Sequence, residues 1–558
     1  MSTITLFFGG LLGVASWLVP NHYLPWLSFH ADFLMGTAGL VVLIGELTLN
    51  RPGQHTLPPL TVATLLVACM PLLQAATGLI QFAGDAWMAF EYLMAFALAQ
   101  VLGQSLTRRI GVDALFETVS ALFLAASLAC VGLQLIQWLR LPGLGTFSIE
   151  LAPRHAPYAN VAQPNHLASM LYLGVVGLLF LFERGRVRGA AAAAAYGLLA
   201  FGLVMTASRT AWLTMSMATV GLWFACGRAP LRIGRVRVIG AALAFLVLLL
   251  TWTPLNDLLL LSPGRTFAVQ SQLGPRPLLW ATMAAATALQ PWFGYGWNQG
   301  LVAQSRVVDQ FPASGRLIQN SHNLMLDLAV WNGVPLALAL CALLAWWFWK
   351  HFRDSRSAAQ VGLLIGVGAL FVHAMLEFPL SYAYFLVPVG LMMGALDAAA
   401  PSQTRLRLPK PAAWALVAGA GGLLVAIATE YVEVETNTRT LQLELARVGT
   451  HKVVSQAPEL VFLTQWDAYL RFARIEPKPG IRPDELDWMG KVVERFPYAN
   501  AQFSAAAANA LNGRPDDARQ MLARMCHLHT RQNCLHRLRE WRELALEYPQ
   551  LAAVPLPP

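Results

Sequence analysis

Thirteen apolar runs divide the first 430 residues of the chain, and each can cross the hydrocarbon core of a membrane as a helix. The predicted spans are 4–19, 31–49, 60–80, 86–105, 112–138, 165–183, 189–207, 209–227, 236–253, 323–349, 358–378, 380–399 and 411–429. No Lys or Arg precedes the first run and no clear cleavage site follows it, so we expect an uncleaved span. The pattern predicts an all-α, polytopic membrane protein with about 12–13 spans.

Basic residues alternate between the two sets of loops. The loops after even-numbered spans contain 16 of them, from Arg51 to Lys410, whereas the other loops contain seven. By the positive-inside rule the even-numbered loops and the N-terminus are cytoplasmic. Two long loops, about 139–164 and 254–322, are then on the outer side, together with everything after residue 430.

Residues 431–558 differ in character from the rest of the chain, because charged and helix-forming residues replace the apolar runs. We therefore divide the chain into a transmembrane domain, 1–430, with its long outer loop at about 254–322, and a helical soluble domain, 431–558.

Composition supports the membrane assignment. Of the 558 residues, 56% are hydrophobic and only 12% are charged, which argues against a cytosolic enzyme. The net charge of +9 is concentrated in residues 1–430, which contain 23 basic and 15 acidic residues. Because short membrane loops account for this excess, we predict no nucleic-acid partner.

Two of the six cysteines, Cys526 and Cys534, lie in the predicted outer domain on either side of a polar turn. An oxidising compartment favours a disulfide between them that closes a helical hairpin. A metal site using His527 and His529 is the alternative, although the spacing matches no strong zinc pattern.

Three hydrogen-bonding side chains, Gln163, Asn165 and His166, cluster where the sixth span begins. Asn165 can cap that helix, which explains one of the three polar groups. The others indicate the polar rim of a substrate cavity.

Arg209 lies at the tight outer turn between the seventh and eighth spans. Its guanidinium suits bidentate binding of phosphate oxygens, and the alternative is simple snorkelling to the membrane surface.

The long outer loop adds Arg276, just before a helical stretch, and His322, just before the tenth span. His322 is either a general base or a helix-start histidine bonded to the backbone.

His373 and Glu377 are four residues apart near the outer end of the eleventh span. This spacing predicts that both lie on one helix face, either as functional groups or as a structural ion pair.

Four groups of candidate residues lie at the predicted outer face: the polar cluster at 163–166, Arg209, the long loop with Arg276 and His322, and the His373 and Glu377 pair. Together they suit an enzyme that holds a lipid-linked diphosphate and deprotonates a hydroxyl, with no metal or other cofactor required. No Gly-rich nucleotide loop is evident, which favours a lipid-linked donor.

The segment 158–168, with Gln163-Pro-Asn-His166, resembles the short motif of the bacterial O-linked protein oligosaccharyltransferases within the O-antigen ligase and polymerase superfamily. The many spans, the long loop ending in Ser321-His322-Asn323 and the outer C-terminal domain are also similar to that family. The resemblance implies a GT-C-like protein of the bacterial inner membrane with a periplasmic C-terminal domain. It implies transfer of a preassembled glycan from undecaprenyl diphosphate to Ser or Thr hydroxyls of periplasmic proteins such as pilin.

Residue by residue, the resemblance implies that His322 is the essential loop histidine and that Arg209 and Arg276 engage the donor diphosphate. His166, His373 and Glu377 are matched by general position only. An O-antigen ligase acting on lipid A core and a glycan polymerase remain alternatives. A polytopic transporter or lipid flippase is the alternative of another class, for which Asp327 and Glu91 are the nearest mid-span polar candidates.

Overall fold

A computed structural model describes residues 2–49, 56–152, 155–259, 261, 274, 276–400, 406–446 and 456–557. The predicted basic loop residues Arg51, Arg154, Arg265 and Arg405, and much of the 254–322 loop before Arg276, lie outside the described residues. The helices are α1 Ser2–Leu18, α2 Phe29–Leu49, α3 Pro59–Ala68, α4 Met70–Ala76, α5 Ala83–Ile110, α6 Val112–Trp138, α7 Pro164–Glu183, α8 Gly189–Met205, α9 Arg209–Ala225, α10 Gly234–Leu258, α11 Arg276–Leu289, α12 Gly300–Ser305, α13 Leu324–Asn332, α14 Val334–Asp354, α15 Ala358–Ala374, α16 Ala383–Ala399, α17 Lys410–Leu445, α18 Thr464–Phe472, α19 Pro483–Arg495, α20 Ala499–Leu511, α21 Pro515–Leu528, α22 Arg531–Glu547 and α23 Pro549–Ala552.

The all-α, polytopic architecture is confirmed. Eight helical segments in the described part of the chain are long and apolar enough to span a membrane, and four shorter apolar helices accompany them. The eighth predicted span, 209–227, coincides with α9, which is helical but is not among these twelve. Paired strands are limited, among the described residues, to the antiparallel dipeptides β1 Thr56–Leu57 and β2 Leu406–Arg407.

The chain forms two compact units. The first unit comprises residues 1–68, 91–272 and 342–425, and the second comprises 69–90, 273–341 and 426–558. In the first unit, 78% of the most apolar stretch of α7 is buried, against 17% in α10. Since α10 still exposes Val236, Val247 and Leu250, its apolar surface is suited to lipid, whereas α7 is a central packing element.

Basic side chains lie over aromatic rings at one end of several first-unit helices. The Arg228 guanidinium lies 4.7 Å from the centre of the Phe352 ring, and the Arg353 guanidinium lies 4.8 Å from that of Trp349. Such amphipathic pairs are typical of a membrane–water interface, and these residues belong to the loops in which basic residues are concentrated.

The predicted span 323–349 is interrupted, which corrects the sequence interpretation. It forms α13 and α14, separated by Gly333 at φ +81°. A Cβ atom at Gly333 would lie 2.2 Å from the carbonyl oxygen of Trp292, so only glycine fits this close approach. The long loop is likewise partly helical, because α11 and α12 lie within it.

The C-terminal residues of the second unit form the predicted helices, but α17 runs without interruption through residue 430 for 36 residues. Glu430 on this helix accepts backbone hydrogen bonds from Val461, Phe462 and Leu463 at 2.8–3.1 Å. The following helices bury two apolar clusters around Met489 and Trp541. The carboxylate of Glu430 therefore fixes the start of the C-terminal helices to α17.

Candidate active site

The segment before α7 is held by two buried amides of the first unit. Gln137 on α6 accepts backbone hydrogen bonds from Tyr158 and Ala159 at 3.0 and 2.8 Å. Asn160 donates to the carbonyl oxygen of Leu18 at 2.7 Å. Much of the segment 158–168 therefore acts as scaffold for the polar residues that follow.

Gln163, and not Asn165, caps α7. Its side-chain oxygen accepts the backbone N–H of His166 at 2.6 Å, and Pro164 occupies the first helical position. The prediction that Asn165 caps this helix is wrong because the helix begins at Pro164, two residues earlier than that assignment requires. This leaves the Asn165 amide available for contacts with other segments.

Asn165 joins three of the segments that the sequence analysis selected. Its Nδ2 donates to Glu377 Oε1 at 3.0 Å, and its Oδ1 accepts from the Ser208 hydroxyl at 2.6 Å. Ser208 in turn caps α9, the helix that begins at Arg209. The structure thus brings Asn165, Glu377 and the Arg209 turn together within the first unit.

His166 and His373 are both fully enclosed. Their ring centres are 5.7 Å apart, His166 Nδ1 lies 2.9 Å from the Tyr384 hydroxyl, and His373 Nδ1 lies 2.7 Å from the Ser169 hydroxyl. Exposed fractions of 1% and 0% place the two imidazoles in the protein interior. Their predicted part in a substrate cavity stays a prediction.

The expectation that His373 and Glu377 lie on one helix face is wrong. Helix α15 ends at Ala374, and the chain then enters a short turn in which the Glu377 N–H still bonds to the His373 carbonyl at 2.9 Å. The early end of the helix is what allows Glu377 to accept from Asn165 while His373 faces Ser169.

Asp32, on α2, supports the same cluster and was not selected from the sequence. Its carboxylate accepts hydrogen bonds from the Ser28 and Tyr92 hydroxyls and from the Ala383 N–H, at 2.6, 2.8 and 2.6 Å. Asp32 thereby fixes the start of α16, which carries Tyr384. An acidic residue one turn into an apolar span was a signal that could have identified it.

Arg209 is half-buried and occupies the first turn of α9. Ala207, two residues before Arg209, has φ +50°, and the Thr206 hydroxyl accepts the N–H of Ser208 at 3.3 Å. A guanidinium beside the N-terminus of a helix offers positive potential and hydrogen-bond donors, which suits an anionic oxygen group.

In the second unit, His322 lies in a turn braced from two sides. The N–H of Ser321 donates to Asp327 Oδ1 at 2.6 Å, and Trp280 donates to the Ser321 carbonyl at 3.0 Å. Asn323 caps α13 by accepting from Met325 and Leu326. Helix capping is therefore done by Asn323, and the half-buried His322 imidazole is not the cap.

His322 has φ +56°, in the left-handed region that non-glycine residues rarely occupy. Such strain persists only where surrounding contacts enforce it, and it is concentrated at functional sites. The Trp280 and Asp327 contacts are those constraints here. This conformation agrees with a functional role for His322.

Arg276 is the first residue of α11, the helix that also carries Trp280 one turn later. The helix that begins at Arg276 therefore supports the turn that presents His322. Arg209 belongs to the first unit, and Arg276 and His322 belong to the second. That all three act on one donor stays a prediction.

Asp327 is buried beneath this turn, and burial raises the pKa of its carboxyl to about 6, whereas hydrogen bonds from Ser321 and the nearby His322 oppose the rise. Helix α13 lies outside the segments that qualify as membrane spans. In the sequence analysis, Asp327 was a candidate only for the transporter alternative. In the structure it positions the His322 turn.

Cys526 and Cys534 form a disulfide between α21 and α22. His529 Nε2 lies 2.8 Å from the carbonyl oxygen of Pro497. In the described part of the chain no group of three or more His, Cys, Asp and Glu side chains is arranged to hold a metal ion.

Three protein families match parts of the chain. Residues 157–182 match the protein glycosylation ligase family, residues 194–341 match the O-antigen ligase family, and residues 361–539 match the C-terminal region of membrane-bound virulence factor polymerases. The first match covers the Gln163, Asn165 and His166 cluster.

Two curated proteins of Acinetobacter baylyi are similar to the chain. One, a general O-oligosaccharyltransferase, is 30% identical over 98% of this chain and 96% of its own length. The other, a ComP-specific O-oligosaccharyltransferase, is 27% identical over 60% of each chain. No solved structure matches.

Proposed function

The chain belongs to the bacterial O-linked protein oligosaccharyltransferases of the O-antigen ligase superfamily, and we propose that it glycosylates serine or threonine hydroxyls of pilin-like proteins. The proposed donor is a preassembled glycan on undecaprenyl diphosphate. The observation that carries the proposal is that residues 157–182, which match the protein glycosylation ligase family, contain the Asn165 network.

In this reaction the acceptor hydroxyl oxygen attacks the anomeric carbon of the first sugar, and the bond from that carbon to the diphosphate oxygen breaks. His322 takes the hydroxyl proton and later releases it to water. The leaving lipid diphosphate keeps the bonding electron pair, and Arg209 and Arg276 stabilise its negative charge. The braced turn around His322 supports its role, because a general base needs a fixed position.

We further propose that the protein lies in the bacterial inner membrane with a cytoplasmic N-terminus and a periplasmic C-terminal domain. The concentration of basic residues and their aromatic contacts in the even-numbered loops supports this orientation. The proposal requires no metal or other cofactor.

The test is expression in a glycosylation-null bacterial host that supplies a lipid-linked glycan and a pilin, followed by intact mass measurement of the pilin. We expect a glycan-sized increase with the natural chain and none with His322→Ala. An unchanged increase in His322→Ala would contradict the role of His322.

Transfer to lipid A core is the second candidate, because residues 194–341 match the O-antigen ligase family. Glycan on lipopolysaccharide and none on pilin would favour that acceptor. The polymerase alternative would give longer glycan chains on the lipid carrier.

A further inference from the structure

A cleft among α19, α20 and α21 of the second unit is not used by the proposed reaction. Its volume is about 260 Å³. Leu486, Val493 and Met521 provide apolar lining, and Lys491 and Asp517 are exposed charges of opposite sign around it. The cleft therefore combines apolar contact area with polar walls, as binding sites do.

Two polar atoms of the cleft residues are buried without a hydrogen-bond partner among the described residues. They are the side-chain oxygen Oε1 of Gln502 and the guanidinium Nε of Arg524. Gln502 is 2% exposed. Buried polar groups in proteins are almost always paired, so each of these two atoms indicates a missing partner.

The two atoms have complementary requirements. Gln502 Oε1 needs a donor, and the Arg524 Nε–H needs an acceptor. A peptide unit supplies both, through its N–H and its carbonyl oxygen. Asn509 lies two turns after Gln502 on the same face of α20 and is equally buried, and it adds a second side-chain amide to the lining.

The size and lining of the cleft favour a peptide over a glycan. Its volume is slightly below the range of about 300–1,000 Å³ that is usual for small-molecule clefts, and it suits a few residues of extended chain. The described lining residues include no aromatic ring on which a sugar could stack. The Asp487–Arg514 ion pair, 2.5 Å between Oδ1 and Nη1, gives one wall both charge signs, which matches polar side chains of either charge.

We propose that this cleft binds an extended polar segment of the acceptor protein, with its backbone hydrogen-bonded to Gln502 and Arg524. This inference rests on the proposed function for the identity of the ligand. The cleft would then recruit the acceptor protein, and the group transfer itself would not involve Gln502 or Arg524.

The test uses the full chain in detergent, with a pilin that the natural chain glycosylates, and two variants, Gln502→Met and Arg524→Met. Each removes one hydrogen bond to the acceptor, so we expect the KM for pilin to rise about ten-fold with kcat within about two-fold of the natural value. Arg519→Met is the matched control, because Arg519 lies on the same helix and outside the cleft, and its KM should not change.

Thermal unfolding separates binding from a structural role. Gln502→Met replaces a buried, unpaired oxygen with an apolar group of similar length, so the melting temperature should stay equal or rise. Should Arg524→Met fail to fold, Arg524→Lys keeps the charge and removes the Nε–H donor. Unchanged KM in the folded variants would overturn the proposal.

A binding measurement distinguishes failure of this inference from failure of the proposed function. Labelled synthetic peptides that tile the pilin should bind the natural chain and bind both variants more weakly, whether or not glycan is transferred. If the pilin is glycosylated but the peptides bind the natural chain and the variants equally, the proposed function would stand and the proposed role of the cleft would be wrong. Competition by free oligosaccharide, and not by unlabelled peptide, would also overturn the proposal.

Discussion

His322 combines an imidazole with a backbone conformation that costs about 1 kcal/mol or more for most side chains. Chemistry and strain at this position can be separated, because asparagine tolerates the left-handed region better than other non-glycine residues. A substitution by asparagine therefore tests the chemistry of the imidazole with little change in backbone strain.

We expect His322→Asn and His322→Ala to lower the transfer rate by about 10²–10⁴-fold, the usual contribution of a general base. His322→Asn should keep the melting temperature, since asparagine retains the turn. A steady-state assay and thermal unfolding in detergent measure the two effects. Activity retained in His322→Asn would exclude the imidazole as the base.

Asp327 gives the same turn a pH-dependent stability. Its pKa is about 6 in the folded chain against 3.8 as the ordinary value, so the folded state binds more protons between these values. Stability is then highest below about pH 4 and decreases as the pH rises towards 6, by about 2–3 kcal/mol for this group.

Asp327→Asn should remove this decrease, because asparagine accepts the Ser321 N–H without ionising. We expect its melting temperature at pH 7 to equal or exceed that of the natural chain, as measured by thermal unfolding from pH 4 to 7. Asp309→Asn, at an exposed position, is the control and should change nothing. The raised pKa of Asp327 would be contradicted if, from pH 4 to 7, the melting temperature of the natural chain rose relative to that of Asp327→Asn.

Among the elements, the C-terminal helices are linked to α5 by one buried ion pair. Arg495 on α19 donates to both carboxylate oxygens of Asp85 at 2.6 and 2.7 Å, and Gln299 donates to the same carboxylate at 3.2 Å. Both partners are less than 10% exposed. Removing one of them leaves the other charge buried and unpaired.

Arg495→Ala should therefore destabilise the second unit by about 3–5 kcal/mol. The matched control is Arg306→Ala, because Arg306 pairs with Glu494, adjacent to Arg495, but is 48% exposed. An exposed pair contributes about 0–1 kcal/mol. Thermal unfolding of the two variants compares them directly, and equal losses would show that burial is not the cause.

Helices and their approximate ends could be predicted, because long apolar runs have few alternative structures in a membrane. The break at Gly333 could not, since it depends on the Trp292 carbonyl, which is distant in sequence. The Asn165 contacts with Ser208 and Glu377 could not be predicted either. Three motifs could be selected by residue type and topology, but which atoms they join depends on tertiary packing.

In the molecule as a whole, the disulfide affects more than the hairpin that it closes. The carbonyl oxygen of His527, next to Cys526, accepts the N–H groups of Ser314 and Gly315 at 3.1 and 3.4 Å. These residues precede the turn that carries His322. The disulfide thus constrains one anchor of the chain leading to the candidate base.

We expect Cys526→Ser with Cys534→Ser to lower the stability of the second unit by about 2–3 kcal/mol, as for a short closed loop. The Ser314 and Gly315 amides should exchange their hydrogens faster in this variant, and hydrogen exchange by mass spectrometry measures it. Cys341→Ser is a control, because Cys341 is not part of a disulfide. Unchanged hydrogen exchange at residues 314–315 would show that the disulfide does not stabilise this part of the loop.

The length of α17 makes the surrounding lipid a variable of the system. At about 1.5 Å per residue, its 36 residues extend about 54 Å, well beyond a hydrocarbon core of about 30 Å. Hydrophobic mismatch then decides how many turns emerge into water, and the turn bearing Glu430 is the first affected. Acyl-chain length is therefore as much a condition of reconstitution as pH or salt.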